Sequence, residues 1–370
     1  SSSMIRTEQR IWTEDKGWDN SKDTGLPGSA QLVFVFGERQ FMERPELFLQ
    51  VRQFYPEAYI LMGSTAGNIL GTSVTDNSVT VSAAYFEKTR IWFAETDVIN
   101  SLDSENVGKK LAEFLPTEGL VHSFVLSDGL AVNGSALVRS INAHLPQRVT
   151  ITGGLAGDGE LFKKTTVGCN TTPKPNRVAL IGFYGTALRV GYGSQGGWKA
   201  TDEQQGRFEI TRSTGNVLYE LNGEPALDVY KKLLGAEAQK LPSSALLFPL
   251  QLDLEGEGSV VRTVLGVDES AKSMTFAGDM PQNTTAHLMH ANEEDLIQSA
   301  GAAGENAAEM LMGMPAQLAL LVSCVGRRLV LKERSTQEVQ KVREAIGEQA
   351  AIHGFYSYGE LCPHKGSGKN

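Results

Sequence analysis

The sequence predicts a mixed α/β protein, because one pattern occurs three times: an apolar strand, a stretch of helical period, and a second strand ending in a glycine-bearing polar turn. LVFVFG (32–37) leads to YILMGSTAGN (59–68), HSFVLSDG (122–129) to VTITGGLAGDG (149–159), and LALLVSCVG (318–326) to AIHGFYSYGE (351–360). The intervals fit βαβ units: 27 residues from Phe36 to Gly63, 27 from Leu126 to Gly153 and 31 from Ser323 to Gly354.

Between the paired strands, Leu47, Val51, Phe54 and Tyr55 recur at helical spacing, as do Val138, Ile141 and Leu145, and Val339, Val342 and Ile346. Each helix then covers one face of a sheet. The first two units continue into further strands, SVTVSAAY (78–85) and RIWFA (90–94) after one, RVALIGFY (177–184) and LRVGYG (188–193) after the other. The third has no such continuation before Asn370, which reads as a truncated end or a break in a loop beyond Lys365.

Residues 1–29 are polar and glycine-bearing and read as a tail or loosely packed edge, with Trp12 and Trp18 as anchors. Ser1 to Ser3 before Met4 read as a cleavage scar. A first domain spans 30–206, ending in the polar bridge GWKATDEQQGRF (197–208), and a second spans 207–370. In the second, FEITRS and NVLYELNG suggest a hairpin or two short strands, and SVVRTVLGVD and SMTFAG read as strands around a tight turn. Pro225 opens a helix whose face is Ala226, Leu227, Tyr230, Leu233 and Leu234, with Gly235 ending it. Asn292 caps a longer helix that has Glu293, Glu294 and Asp295 at its positive end. Gly301 and Gly304 within it imply close packing.

At 370 residues and 41% hydrophobic composition, the chain builds a core in each of two domains. A formal charge of -9 argues against a general nucleic-acid binder, which needs a basic face to neutralise phosphates. Cys169, Cys324 and Cys362 form neither a close-spaced metal motif nor an even disulfide set, so a reducing cytoplasm is expected. No apolar run is long enough to span a membrane, and no signal peptide is evident.

The third unit carries the most reactive equipment. Ser323 and Cys324 close an apolar strand just before Arg327, and the paired strand supplies Tyr356, Tyr358 and Glu360. Parallel neighbours would bring these together at the carboxyl ends of the strands, where ligands collect in α/β sheets. Arg327 could then hold an anionic group and the tyrosines its remainder; the plainer alternative pairs Arg327 with Glu360 and puts the tyrosines in an interface. Asp158 and Trp198 could line further parts of such a pocket. A thiol- or serine-dependent hydrolase would need an activated Cys324 or Ser127, yet no histidine base stands at a recognised spacing and no GxSxG elbow is present. Gly191, Gly193 and Gly196 match GxGxxG without a following helix, so the match does not read as a dinucleotide site. His287 or His290 could ligate haem iron, and Cys362-Pro363 could supply a thiolate instead.

SDGLAVNGSALVRSINAHLP, VTITGGLAGDG, NVLYELNGEPALDVYKKLLG, VVRTVLGVDE, SMTFAGDMP, LALLVSCVGRRLVL and GFYSYGE together closely resemble the FIST family, over about residues 32–360. The resemblance implies a two-domain bacterial sensory protein that binds a small ligand, such as an amino acid, and regulates a signalling partner. Cys324, Gly326, Arg327, Tyr358, Gly359 and Glu360 match the C-terminal motifs, and Gly153, Gly154, Ala156, Gly157 and Asp158 the N-terminal glycine turn. Asn68 stands where many relatives have glutamate, and Cys362-Pro363-His364 replaces a more usual apolar residue and proline. Some members resemble the NosP nitric-oxide sensors, which implies haem b and a sensor histidine kinase partner as the alternative function; a homodimer is a separate expectation.

Overall fold

The computed structural model describes residues 4–19, 25–201, 206–256 and 258–362. The expectations attached to residues 1–3 and to Pro363, His364 and Lys365 lie outside the described residues, as does part of the 197–208 bridge.

The first described element is strand β1 (Ile5–Thr13), where a tail or loosely packed edge was expected. Its residues are mostly half-buried, with Glu8 and Trp12 buried and Arg6 exposed, and pair antiparallel with Ser78–Phe86 along their whole length. Trp12 is buried against Phe41, and the Trp18 indole donates to Gln50 at 2.7 Å. Both tryptophans therefore fasten this segment to the body.

Unit one is β2 (Leu32–Gly37), helix α1 (Pro45–Phe54) and β3 (Tyr59–Ser64), followed by β4 (Asn68–Leu70) and the long strand β5 (Ser78–Phe86). β6 (Arg90–Asp97) and helix α2 (Ser104–Phe114) lead to unit two. That unit is β7 (Leu120–Ser127), α3 (Gly134–His144) and β8 (Thr150–Leu155), followed by β9 (Val167–Cys169) and β10 (Arg177–Tyr184).

Residues 188–193, expected as a strand, are unpaired. Gly191 and Gly193 instead run against a helix of the second half, where a Cβ would lie 2.0 Å from the Ala307 and Ala303 carbonyl oxygens. The GxGxxG spacing thus serves helix contact, and strand β11 (Trp198–Ala200), not a helix, follows it.

The second half contributes β12 (Arg207–Thr214) and β13 (Val217–Leu221), the expected hairpin, then α4 (Ala226–Leu234). The expected strand SVVRTVLGVD divides at Thr263 into Gly258–Arg262, paired with Leu250–Leu254, and Val264–Asp268, paired with Ser273–Phe276; with β14 (Thr285–Ala291) these belong to a nine-stranded sheet. Helix α5 (Glu293–Glu309) is capped by the Asn292 side chain, which accepts from the Glu294 and Asp295 amides. Unit three is β15 (Leu318–Cys324), the short helix α6 (Val325–Leu331), α7 (Ser335–Ile346) and β16 (Ala351–Ser357), followed by β17 (Gly359–Leu361). α5 packs on α7 so closely that a Cβ at Gly304 would stand 3.0 Å from that of Ala345.

All three unit cores are parallel pairs, β2 with β3, β7 with β8 and β15 with β16. Their sheets are completed by exchange. β4, from unit one, pairs antiparallel with β16 of unit three; β9, from unit two, with β3 of unit one; β17, from unit three, with β8 of unit two. The three units therefore close a ring, each lending a strand to another. On its outer side β2 is flanked by antiparallel β5, and β7 by antiparallel β10. β15 ends its four-stranded sheet, with β16, β4 and Ser73–Thr75 following in order.

Candidate functional site

The glycine turns do meet, but in a filled junction. Tyr358 is fully buried, its ring stacks on Phe162 at 4.4 Å between centroids, and its hydroxyl bonds the Asp158 carboxylate. Asp158 also accepts from the amides of Phe162, Lys163 and Lys164 at 2.9, 3.0 and 2.9 Å. These residues lock the turns of units two and three together and do not line an opening. Tyr356 is likewise fully buried, with the Arg328 guanidinium 5.3 Å from its ring centre.

The opening lies alongside, on the free flank of β15. A cavity of about 460 Å³ runs between this strand, helices α5 and α7, the 187–195 loop and the inner faces of the other two sheets. Phe34, Phe86, Phe124 and Phe183 give it an aromatic wall, and Gly304, Ala307 and Ala308 a helical one. His122 also faces it, both ring nitrogens bonded to threonine hydroxyls, Thr150 at 2.7 Å and Thr152 at 3.0 Å. Burial holds this imidazole neutral, with its pKa pushed down to about 4.

One corner of the cavity is polar and gathers Ser323, Arg327, Glu338 and Glu360. Arg327 is brought there by α6, and it is spent on protein acceptors. Its Nε donates to Glu338 Oε1 at 3.0 Å, Nη1 to the Gly196 carbonyl at 2.6 Å, and Nη2 to the Leu296 carbonyl at 2.6 Å and Ser299 Oγ at 3.0 Å. The expected clamp on a ligand anion is thus a brace joining the 187–197 loop, α5 and α7. Ser323 Oγ donates to the same Glu338 oxygen at 3.0 Å, while Glu338 Oε2 is buried without a donor among the described residues.

Glu360 is the exposed member of this corner: it stands deep among protein atoms yet opens onto the cavity. It forms no ion pair among the described residues; the expected alternative partner, Arg327, is taken by Glu338. Burial pushes its pKa up to about 7, with the Arg327 charge acting in the opposite sense. Asn68 and Asp158, which like Glu360 follow the glycine of their turns, are both fully engaged. Asn68 accepts from Thr65 at 2.7 Å and donates to Glu38 and Ser78.

Cys324 caps α6, accepting from the Gly326 amide at 3.4 Å beside the Thr263 hydroxyl, and burial pushes its pKa up to about 12. Ser127 Oγ donates to the Asp128 carbonyl at 3.0 Å. Neither side chain is activated as a nucleophile. Trp198 packs on Leu296, Ile297 and Leu331, outside the cavity lining. His287 and His290 sit on β14, also outside it; His287 Nε2 bonds Asp253 at 3.0 Å, and the odd and even positions put the two rings on opposite faces. Neither histidine lines the 460 Å³ cavity, so neither could ligate a haem held in it. No group of three or more His, Cys, Asp or Glu among the described residues is placed to hold a metal ion. No helix among them is long and apolar enough to cross a membrane.

Glu338 was missed at sequence level, although it stands one turn before Val342 on the buried face of α7, where a carboxylate is out of place. The aromatic wall was also missed, since its four phenylalanines come from four strands of two sheets.

The model of the FIST N domain matches residues 31–224, more than half of the chain, and that of the FIST C domain matches residues 226–363. The chain belongs to the FIST family. No curated protein matches it. FIST domains are sensory, non-catalytic modules associated with signal transduction, and they often pair with histidine kinases in bacterial signalling. In this FIST chain the polar corner is built where unit three of the C-terminal match meets α5, and the aromatic wall comes from the N-terminal match.

Proposed function

We propose that this FIST protein is a cytoplasmic input module that binds a small ligand carrying an ammonium or similar donor group and reports its presence to a sensor histidine kinase. The observation that carries this reading is Glu360, an interior carboxylate facing a cavity without an ion pair among the described residues. The corner sets two carboxylates against one guanidinium, and Arg327 has its donors occupied. A cationic group therefore balances charge there, and an anionic one meets only acceptors. Aromatic and alanine surfaces accommodate the apolar remainder of the ligand.

Signalling follows if the ligand binds one arrangement of the surrounding elements better than another. The 187–195 loop and α5 both touch the cavity, so occupancy changes the contacts that hold the loop to the helix.

The test is calorimetric titration with a panel of primary amines, the matched carboxylic acids and neutral amides. Amines bind and the acids do not; Glu360→Gln weakens amine binding by about tenfold or more, as expected for loss of a charge-assisted hydrogen bond. Equal binding of amines and acids, or full retention of affinity by Glu360→Gln, overturns the reading.

A further inference from the structure

The cavity has two ends, and the elements along it measure the distance between them. Its polar corner lies at the carboxyl end of β15, and residues 318–323 line it from Leu318 up to that corner. At about 3.3 Å per residue, this stretch of strand covers about 17 Å.

The facing loop runs the same course. Arg327 holds the Gly196 carbonyl at 2.6 Å, a Cβ at Gly193 would meet the Ala303 carbonyl oxygen, and one at Gly191 that of Ala307. Two loop residues therefore pass four residues of α5. An extended backbone advances about 6.6 Å in two residues and a helix about 6 Å in four, so the loop lies extended and antiparallel to α5. Arg189 follows by the same progression, level with Leu311 and just past the end of α5. Along the extended loop it stands about 20 Å from Gln195, which borders the corner. Strand and loop thus agree on the length.

The two ends differ in charge. Glu360 faces the corner without an ion pair among the described residues. Arg189, at the far end, is exposed, lines the cavity and makes neither a hydrogen bond nor an ion pair among the described residues. Arg327, by contrast, has its donors taken by protein acceptors. Between the two ends the walls are apolar, with Phe34 and Phe124 on one side and Ala303 and Ala307 on the other.

We propose that the ligand is an elongated dipolar molecule, with an ammonium at Glu360, an apolar chain along β15 and a carboxylate met by Arg189 at the far end. This rests on the amine reading of Glu360 and adds to it a second charge and a length. Once the reach of both side chains is allowed for, charges roughly 10–15 Å apart satisfy both ends. An α-amino acid carries its charges on neighbouring groups, so seating its ammonium at Glu360 brings its carboxylate up to Glu360 and Glu338, where like charges repel. Arg189 is open to water and selects among amines; it does not retain an acid that lacks an ammonium.

The test is calorimetric titration of the full chain with ω-aminohexanoate, ω-aminooctanoate and ω-aminododecanoate, each beside its methyl ester. The ester keeps the ammonium and the length and removes the negative charge. The shortest acid binds more weakly than its ester, and the longest binds about twofold to fivefold more tightly, as an exposed ion pair allows. Norleucine, the isomer of ω-aminohexanoate with both charges at one end, binds more weakly than ω-aminododecanoate. Arg189→Gln abolishes the advantage of the long acid and leaves the esters unchanged, while Arg189→Lys keeps part of it. No advantage of acid over ester at any length, or an advantage that survives Arg189→Gln, overturns the proposal. Esters that bind the starting chain more tightly than Glu360→Gln leave the amine reading in place even then. If the esters bind both proteins alike, the amine reading fails and the dipolar ligand fails with it.

Discussion

Arg327 and Glu338 form a buried ion pair, Nε to Oε1 at 3.0 Å, that ties α6 to α7 beneath the cavity corner. The remaining guanidinium donors reach carbonyls on the 187–197 loop and α5. One side chain therefore holds four segments together.

Arg327→Met leaves Glu338 buried with one hydrogen bond, from Ser323. Urea denaturation should show a loss of about 3–5 kcal/mol, the usual cost of breaking such a pair from one side. Arg327→Met combined with Glu338→Leu should recover much of it, because no uncompensated charge remains. A single-substitution loss below about 1 kcal/mol would contradict the brace.

Tyr358→Phe removes the hydroxyl that joins Asp158 to unit three. Asp158 keeps its three backbone donors. The expected loss is about 1.5–3 kcal/mol, as for a hydrogen bond to a charged group, measured by thermal or chemical unfolding. An unchanged midpoint would mean that the two turns are held by packing alone.

Gly193→Ala places a methyl group 2.0 Å from the Ala303 carbonyl oxygen and must push the loop off α5. A loss of about 1–3 kcal/mol is expected from the overpacking. Faster hydrogen exchange over 188–197 should accompany it. Gly28→Ala, where nothing lies within 4 Å, is the matched control and should leave both unchanged.

Acid sensitivity should come from two buried imidazoles. Burial lowers the pKa of His122 to about 4 and that of His353 to about 3, so the unfolded chain takes up these protons first. Their contribution is fully present above the ordinary histidine pKa of about 6.5 and is lost as pH falls toward 4 and then 3. Glu38 and Glu360, raised to about 7, act in the opposite sense and lose their contribution as pH rises from 4.5 to 7. His353→Asn, whatever its cost at neutral pH, should flatten the decline below pH 6.5 in denaturation curves taken across that range. An unaltered slope would show that His353 is not the group responsible.

The repeated βαβ units were legible because strand apolarity and helical spacing are local signals, and each parallel pair formed as the intervals required. The Asn292 cap and the close approach of Gly304 were legible for the same reason. What eluded sequence reading was non-local. Residues 5–13 look polar because their strand is half-exposed, and only pairing with β5 makes them part of a sheet. Residues 188–193 alternate like a strand but find a helix instead of a neighbour, because glycines let the backbone lie on α5. Arg327 and Glu360 both line one recess, yet composition could not tell which carboxylate the arginine would take. Glu338 takes it, and Glu360 keeps its place facing the cavity.

The mutual lending of β4, β9 and β17 also governs how the molecule comes into being on the ribosome. β4 emerges early, but its partner β16 is made long after it, and β8 likewise waits for β17. The amino-terminal half therefore leaves the exit tunnel with two vacant places that no residue of its own can take. Nascent chains halted before Ala351 should be degraded readily, because both places are then still open.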